Sequence, residues 1–190
     1  MTLPLKTART HTFTTTKGTW LSLDVSPDGQ QIVFDLLGDL YTLPIAGGKA
    51  TRLTSGMAYD AQPRYSPDGK KVVFVSDKSG GENLWIVSLD GKDTTQLTQG
   101  NNSQYVSPEW APDGKYIVAS KSGSLFGTAK LWTFNVDGGS GLALTTTPAG
   151  LLGVGATQGT LEAGRAANVV VASGNLFQAD DAAIELVWVD

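Results

Sequence analysis

Ser26-Pro27-Asp28-Gly29 is the stretch that decides the fold, because the chain repeats it twice more. It returns as Ser66-Pro67-Asp68-Gly69 and as Ala111-Pro112-Asp113-Gly114, so the proline advances by 40 and then by 45 residues. Proline fixes φ for a turn, and the Asp-Gly pair supplies the positive φ of a tight hairpin. Three turns of one kind at a nearly constant interval indicate three copies of one structural unit.

Each copy continues with the same features in the same order. An apolar run follows the turn, then Leu with an aromatic residue, then a second turn, and finally Leu-Thr. Short runs rich in Val, Ile, Phe, Trp and Thr between Gly, Asp and Pro are strand signals. A period of about 40–45 residues with four strands is typical of a propeller blade, so the sequence predicts an all-β chain with three four-stranded blades, a partial β-propeller. The aromatic positions are Tyr41, Trp85 and Trp132, and the closing pairs are Leu53-Thr54, Leu97-Thr98 and Leu144-Thr145.

Composition restricts the classes of function. The chain has 190 residues, a net charge of −4, one His and no Cys. The acidic balance argues against a nucleic-acid partner, which favours a basic face. The absence of Cys excludes disulfides, thiolate zinc sites and thiol nucleophiles. No apolar run approaches the roughly 18 residues of a membrane helix, so no membrane partner is expected.

The repeat pattern divides the chain. It stops near Pro148, and the residues before Trp20 do not carry it. The first residues lack the apolar core and cleavage site of a signal peptide, which predicts a cytoplasmic location for the chain as written. The expected organisation is an N-terminal arm (1–19), blades (20–147, divided at about 20–56, 57–100 and 101–147), a linker (148–158) and a C-terminal β segment (159–190).

The three turn motifs resemble the TolB-like β-propeller repeats, whose hallmark is Ser-Pro-Asp-Gly before a strand. The resemblance covers roughly residues 20–147. It implies an architecture rather than a chemistry, because such blades occur in Tol-system periplasmic proteins, in peptidases of the prolyl oligopeptidase kind and fused to amidohydrolases.

The tail resembles a different family. Gly159-Thr-Leu-Glu162-Ala-Gly164-Arg-Ala-Ala-Asn168-Val-Val-Val171 and the final Val187-Trp188-Val189-Asp190 look like the C-terminal end of metal-dependent amidohydrolases. There the segment returns from the catalytic barrel to a small β-sandwich, which implies structural rather than catalytic roles for Glu162 and Asn168. The full-length relatives are implied to be periplasmic or secreted hydrolases of C–N bonds in cyclic amides or peptides, with a divalent metal such as zinc.

The catalytic part of such an enzyme does not fit this chain. A TIM barrel takes about 250 residues, more than the whole sequence, and a metal site without Cys needs several imidazoles and carboxylates. The only imidazole is His11. We therefore expect no catalytic, cofactor-binding or metal-binding residue, and at most a structural module or one that binds a protein or peptide. The alternative is a metal-dependent amidohydrolase in the full-length relative.

Three blades leave two blade faces uncovered, and each repeat normally buries its apolar face on a neighbour. Two outcomes are open. The N-terminal arm (residues 5–17) and the C-terminal strands cap the ends, or two chains associate into a closed ring of six blades. A protein or peptide partner at an open edge strand is also compatible with the pattern.

Each remaining candidate residue has a functional and a structural interpretation. His11 lies in an alternating, strand-like stretch, and it is either a lone metal ligand or general base, or an exposed strand residue. The stretch Gly123-Ser-Leu-Phe-Gly127 has its Ser in the wrong place for a nucleophile elbow. The aromatic residues Tyr41, Trp85 and Trp132 line a ligand surface or pack between blades. The loop Asp77–Asn83 binds calcium or is a plain hairpin loop. The pairs Asp28-Gly29, Asp68-Gly69 and Asp113-Gly114 form a ring of carboxylates for a cation, or serve the turns, which we favour.

Overall fold

The structure is a computed structural model that describes residue 11, residues 13–123 and 128–145, and the backbone of 167–173 and 183–189. Within these ranges every regular element is a strand, and no helix is long and apolar enough to cross a membrane. The chain separates into two compact units, Met1–Leu144 and Thr145–Asp190. Glu162, most of the N-terminal arm and the linker 148–158 lie outside the described residues.

The first unit contains three four-stranded antiparallel sheets, each formed by consecutive strands in chain order. The prediction of an all-β fold with three four-stranded blades is therefore confirmed. Blade 1 comprises β1 (Leu23–Val25), β2 (Gln31–Leu36), β3 (Asp39–Pro44) and β4 (Thr51–Arg52); blade 2 comprises β5 (Asp60–Tyr65), β6 (Lys71–Ser76), β7 (Asn83–Ser88) and β8 (Thr94–Gln96); blade 3 comprises β9 (Gln104–Trp110), β10 (Tyr116–Ser122), β11 (Lys130–Asn135) and β12 (Leu142–Ala143).

The repeated turns join the first two strands of each blade. Gly29, Gly69 and Gly114 have φ values of +69°, +69° and +68°, a region that side-chain-bearing residues rarely adopt. Each of these glycines donates its backbone N–H to the carbonyl three residues earlier, at 2.8–2.9 Å. The Asp-Gly pair therefore fixes the same hairpin three times.

Two hydrophobic cores lie between the blades. The core between blades 1 and 2 combines Val33 and Leu40 with blade-2 residues on the facing sheet. The core between blades 2 and 3 combines Leu84 and its neighbours with Ile117 and Phe134. The first strand of a blade carries much of this contact, since β5 packs on β1, β2 and β3, and β9 packs on β5, β6 and β7. Blade order in space therefore follows chain order.

The first strands of blades 2 and 3 share an irregularity. Gln62 and Ser107 have φ values of +56° and +52°, and the pairing register of each strand shifts at that point. A buried proline follows in both cases, Pro63 and Pro108. A bulge is a place where a proline is tolerated within a sheet, because the ladder is already interrupted.

The second unit contains one antiparallel pair, β13 (Ala167–Ser173) with β14 (Ala183–Val189). Asn168, singled out in the sequence, lies opposite Trp188 in this pair.

Candidate functional site

The carboxylates of the repeated turns are engaged within those turns. Ser26 donates its hydroxyl to Asp28 Oδ1 at 2.6 Å, and Gln30 donates its backbone N–H to the same oxygen at 3.0 Å. The second copy repeats both bonds at Asp68, at 2.6 and 3.1 Å. In the third copy Asp113 accepts from the N–H of Lys115 at 2.9 Å, and Ala111 offers no hydroxyl. This geometry is that of an Asx-type turn, and it needs no cation.

These hydrogen bonds change the acidity of the turn carboxyls. The Ser66 hydroxyl, followed by the Lys70 N–H, holds the pKa of Asp68 below 3.8, and Ser26 and Gln30 do the same for Asp28. The Ser88-Leu-Asp90-Gly91 turn after β7 is built alike, and there the pKa of Asp90 falls to about 2.

Replacing Ser66 with Ala tests this assignment. A carboxyl with a lowered folded-state pKa contributes stability above its unfolded pKa and loses it as the pH falls through the folded pKa. For the Asp90 turn this loss therefore falls between about pH 4 and about pH 2, and for Asp68 it begins as the pH falls below about 4. In S66A we expect the pKa of Asp68 to rise toward 3.8, while Asp28 serves as the internal control. Carboxyl ¹³C NMR titration measures both, and an unchanged Asp68 contradicts the assignment.

The three repeated aromatic residues lie on corresponding faces of their sheets. Trp85 packs against the core between blades 1 and 2, and Trp132 packs against the core between blades 2 and 3. Tyr41 stacks on Phe34 at 5.7 Å between ring centroids. Since Trp85 and Trp132 each face the preceding blade, the corresponding face at Tyr41 has no preceding blade in the described part of the chain.

Lysine side chains cover the aromatic rings of blades 2 and 3. Lys121 Nζ lies 4.2 Å from the Trp132 ring centroid, and Lys78 Nζ lies 5.6 Å from that of Trp85. A cation over an indole face is held by the ring quadrupole. The positions of these two lysines are therefore explained by their contacts with the tryptophan rings.

In the part of the chain that the structure describes, no metal-ligating cluster is brought together. His11 is exposed. Over the described ranges, no three His, Asp or Glu residues are placed to hold a metal ion. In the loop Asp77–Asn83, Asp77 Oδ1 accepts from the Tyr59 N–H at 2.8 Å, and Asn83 donates to the carbonyls of Gly81 and Gly100. The residues 124–127 of the Gly123–Gly127 stretch lie outside the described residues.

Polar links between blades are a feature that the sequence analysis did not identify. The Asp35 carboxylate accepts from Ser22 N–H at 3.0 Å and, across the blade boundary, from Gln62 N–H at 2.9 Å. The Gln62 side chain in turn accepts from Ser107 N–H of blade 3. A charged residue inside the apolar run Gln31–Leu37 is the signal that points to Asp35. We call this chain of contacts the inter-blade relay.

Two further links lie near the turns. Tyr65 donates its backbone N–H to Asp24 Oδ2 at 2.8 Å, and Trp110 donates its indole N–H to the Arg64 carbonyl at 3.2 Å. Burial, followed by the charges of Asp24 and Asp28, raises the pKa of Tyr65 to about 12. The residue before each turn in blades 2 and 3 is thus a buried aromatic anchored on the preceding blade.

The family follows from comparison with known proteins. The family model described as the Tricorn protease N-terminal beta propeller domain matches residues 22–169, which include all three blades. The chain belongs to the Tricorn N-terminal β-propeller family. The match to that family continues into the segment 159–190 that the sequence analysis set apart.

Relatives of this Tricorn-type propeller include TolB proteins. The uncharacterized protein Atu1656 of Agrobacterium fabrum is 33% identical over 97 residues, covering 49% of this chain and 33% of that protein. The Tol-Pal system protein TolB of Francisella tularensis is 28% identical, covering 60% and 38%. A solved structure assigned to TolB of Agrobacterium tumefaciens matches with a TM-score of 0.61 and 27% identity, covering 67% of this chain and 50% of that one. The chain therefore spans between 33% and 38% of the length of these two curated relatives.

Proposed function

We propose that this chain is a non-catalytic propeller module that docks protein through the uncovered apolar faces of its first and third blades. One observation carries the proposal. The residue before the repeated turn is 4% exposed as Tyr65 in blade 2 and 8% exposed as Trp110 in blade 3, but 45% exposed as Val25 in blade 1. Blade 1 thus presents a surface of the kind that blades 2 and 3 bury on a neighbour.

The uncovered face of blade 1 is continuous. Leu23 lies opposite Phe34 and Phe34 opposite Tyr41, so these three side chains share one face of the sheet. Leu23 is exposed, as is Val25 two residues on. Contiguous exposed apolar surface of this type marks interaction sites in soluble proteins.

Blade 3 presents a second such face. Val118 lies opposite Thr133, which lies opposite Leu142, and Tyr116 is two residues from Val118 along the strand. Tyr116 and Leu142 are both exposed. This face of blade 3 corresponds to the side of blade 1 that packs on blade 2. The uncovered face of blade 1 corresponds to the side of blade 2 that packs on blade 1. The two uncovered faces are therefore of the two kinds that pack together inside the chain.

The occupant we propose is a second copy of the chain. The third blade of one copy covers the first blade of the other, and the same contact recurs on the opposite side. Such a two-fold arrangement closes a ring of six blades, within the usual range of about four to eight. Capping by the chain's own terminal segments, and binding of another protein or a peptide, are the competing outcomes.

Size-exclusion chromatography with light scattering tests the ring. We expect a compact dimer of twice the 19.9 kDa chain mass. Leu23→Asp places a charge on the blade-1 face and is expected to give monomers, whereas the matched control Leu37→Asp changes an exposed residue of the turn between β2 and β3 and keeps the dimer. A compact wild-type monomer, or a dimer unaffected by Leu23→Asp, contradicts the proposed occupant.

A second candidate function rests on the motif Gly159–Val171, which looks like the tail of a metal-dependent amidohydrolase. In that case the chain is the propeller part of a hydrolase whose barrel lies elsewhere. An assay of cyclic amides with added zinc or manganese separates the two roles. Metal-dependent hydrolysis by the purified chain that survives His11→Ala contradicts the non-catalytic role.

A further inference from the structure

A cavity of about 430 Å³ lies between the first two blades. The segment 53–58, which connects β4 to β5, forms one wall. Blade 2 supplies Asp60, Phe74, Lys78 and Thr94 to the other. This volume is within the range of about 300–1,000 Å³ that small-molecule sites occupy.

Asp60 is the unusual residue of this cavity. It is 5% exposed, and its Oδ1 atom is buried without a hydrogen-bond partner. Among the residues that the structure describes, no Lys, Arg or His nitrogen lies within 4.0 Å of its carboxylate. A buried carboxylate oxygen without a partner is costly, so an unsatisfied one on a residue of a cavity wall indicates a missing donor.

The nearest lining cation does not serve this role. Lys78 is exposed at the cavity, and its Nζ lies over the Trp85 ring rather than within ion-pair distance of Asp60. The rest of the lining combines apolar side chains (Leu53, Met57 and Phe74) with the hydroxyls of Thr54, Ser55 and Thr94. The cavity therefore offers one negative acceptor beside an apolar wall.

We propose that this cavity binds a small organic cation, a primary ammonium group carried on an apolar or aromatic body. The ammonium donates to the Asp60 carboxylate, and the body packs on Leu53, Met57 and Phe74. A divalent metal is disfavoured, because Ca²⁺ takes six to eight oxygen ligands and Asp60 is the one carboxylate in the lining. An anion is disfavoured as well, because the negative charge of Asp60 repels it. The site is independent of the proposed docking faces, which lie on the other sides of blades 1 and 3.

NMR titration of the full chain with three phenyl probes of similar size tests the site. Phenethylamine carries the ammonium, 2-phenylethanol is neutral, and 3-phenylpropionate is the anion. We expect saturable binding of phenethylamine, with shifts at residues 53–60 and at the Trp85 indole N–H, since Trp85 lies opposite Phe74. The neutral probe binds at least about tenfold more weakly, which corresponds to about 1.4 kcal/mol, and the anion does not bind.

Two variants locate the interaction. Asp60→Asn is nearly isosteric and is expected to weaken phenethylamine binding at least about tenfold, the range for a charge-assisted hydrogen bond. Asp93→Asn removes an exposed carboxyl close to the cavity and serves as the matched control. Thr94→Tyr fills the cavity from an exposed position and blocks binding even if Asp60→Asn fails to fold.

Three results overturn the proposal. They are no saturable binding of phenethylamine, binding that Thr94→Tyr and a folded Asp60→Asn leave unchanged, and equal affinity for the anion. None of them bears on the dimer, so failure of this site and failure of the docking function remain distinguishable.

Discussion

Replacing Asp35 with Ala is expected to lower the free energy of unfolding by about 2–4 kcal/mol, because it removes the charged acceptor shared by two part-buried N–H groups. Asp35 is 8% exposed and accepts from Ser22 and Gln62 at 3.0 and 2.9 Å. The second bond crosses from blade 1 to the bulge of blade 2. The substitution therefore weakens the inter-blade relay at its origin.

Asp35→Asn separates charge from geometry at the same position. The amide keeps one oxygen acceptor but turns its NH₂ group toward the other N–H, so we expect a loss comparable to that of Asp35→Ala. Asp93→Ala, at an exposed carboxyl, is expected to change stability by less than about 0.5 kcal/mol. Urea unfolding followed by fluorescence measures all three, and a loss below about 1 kcal/mol in Asp35→Ala would show that the relay contributes little.

Leu84→Ala is the second large expected effect. Leu84 is fully buried in the core between blades 2 and 3, where it lies with Ile117 and Phe134. Truncation of a buried Leu costs about 3–5 kcal/mol, through lost burial and the cavity that remains. This is a large share of the roughly 5–15 kcal/mol that stabilises a typical domain. We expect the midpoint of urea unfolding to fall accordingly.

Two matched substitutions control for the chemistry of that change. Leu37→Ala removes the same atoms from a residue of the turn between β2 and β3 that is 78% exposed, and we expect a loss below about 0.5 kcal/mol. Leu84→Met keeps the volume and is expected to cost less than about 1.5 kcal/mol. Equal losses for Leu84→Ala and Leu37→Ala would mean that the core between blades 2 and 3 is not the stabilising element.

The blades were predictable because their determinants are local. The turn at Asp28-Gly29 and the apolar run after it lie within a few residues of each other, and each signal appears three times. Repetition separates a structural signal from chance, which a single Asp-Gly pair cannot do. The orientation of the repeated aromatic residues also follows from strand alternation once the strands are known.

The inter-blade relay and the cavity were not predictable in this way. The Asp35 carboxylate accepts a hydrogen bond from the N–H of Gln62, 27 residues away in the sequence. The Gln62 side chain accepts one from the N–H of Ser107, 45 residues away. Both contacts depend on bulges that present the N–H across the blade boundary. Asp60 looks like an ordinary strand-starting carboxylate in the sequence, which shows neither its contact with blade 1, where the Gly38 carbonyl accepts from its N–H at 2.9 Å, nor its unsatisfied oxygen.

The last strand of each blade is short, with two residues in β4, three in β8 and two in β12. Continuous growth of a sheet by strand addition needs a long row of free N–H and C=O groups, and these edges offer almost none. Strand addition at this edge of each sheet is thereby disfavoured, whereas the proposed association through sheet faces stops growing once a ring is complete.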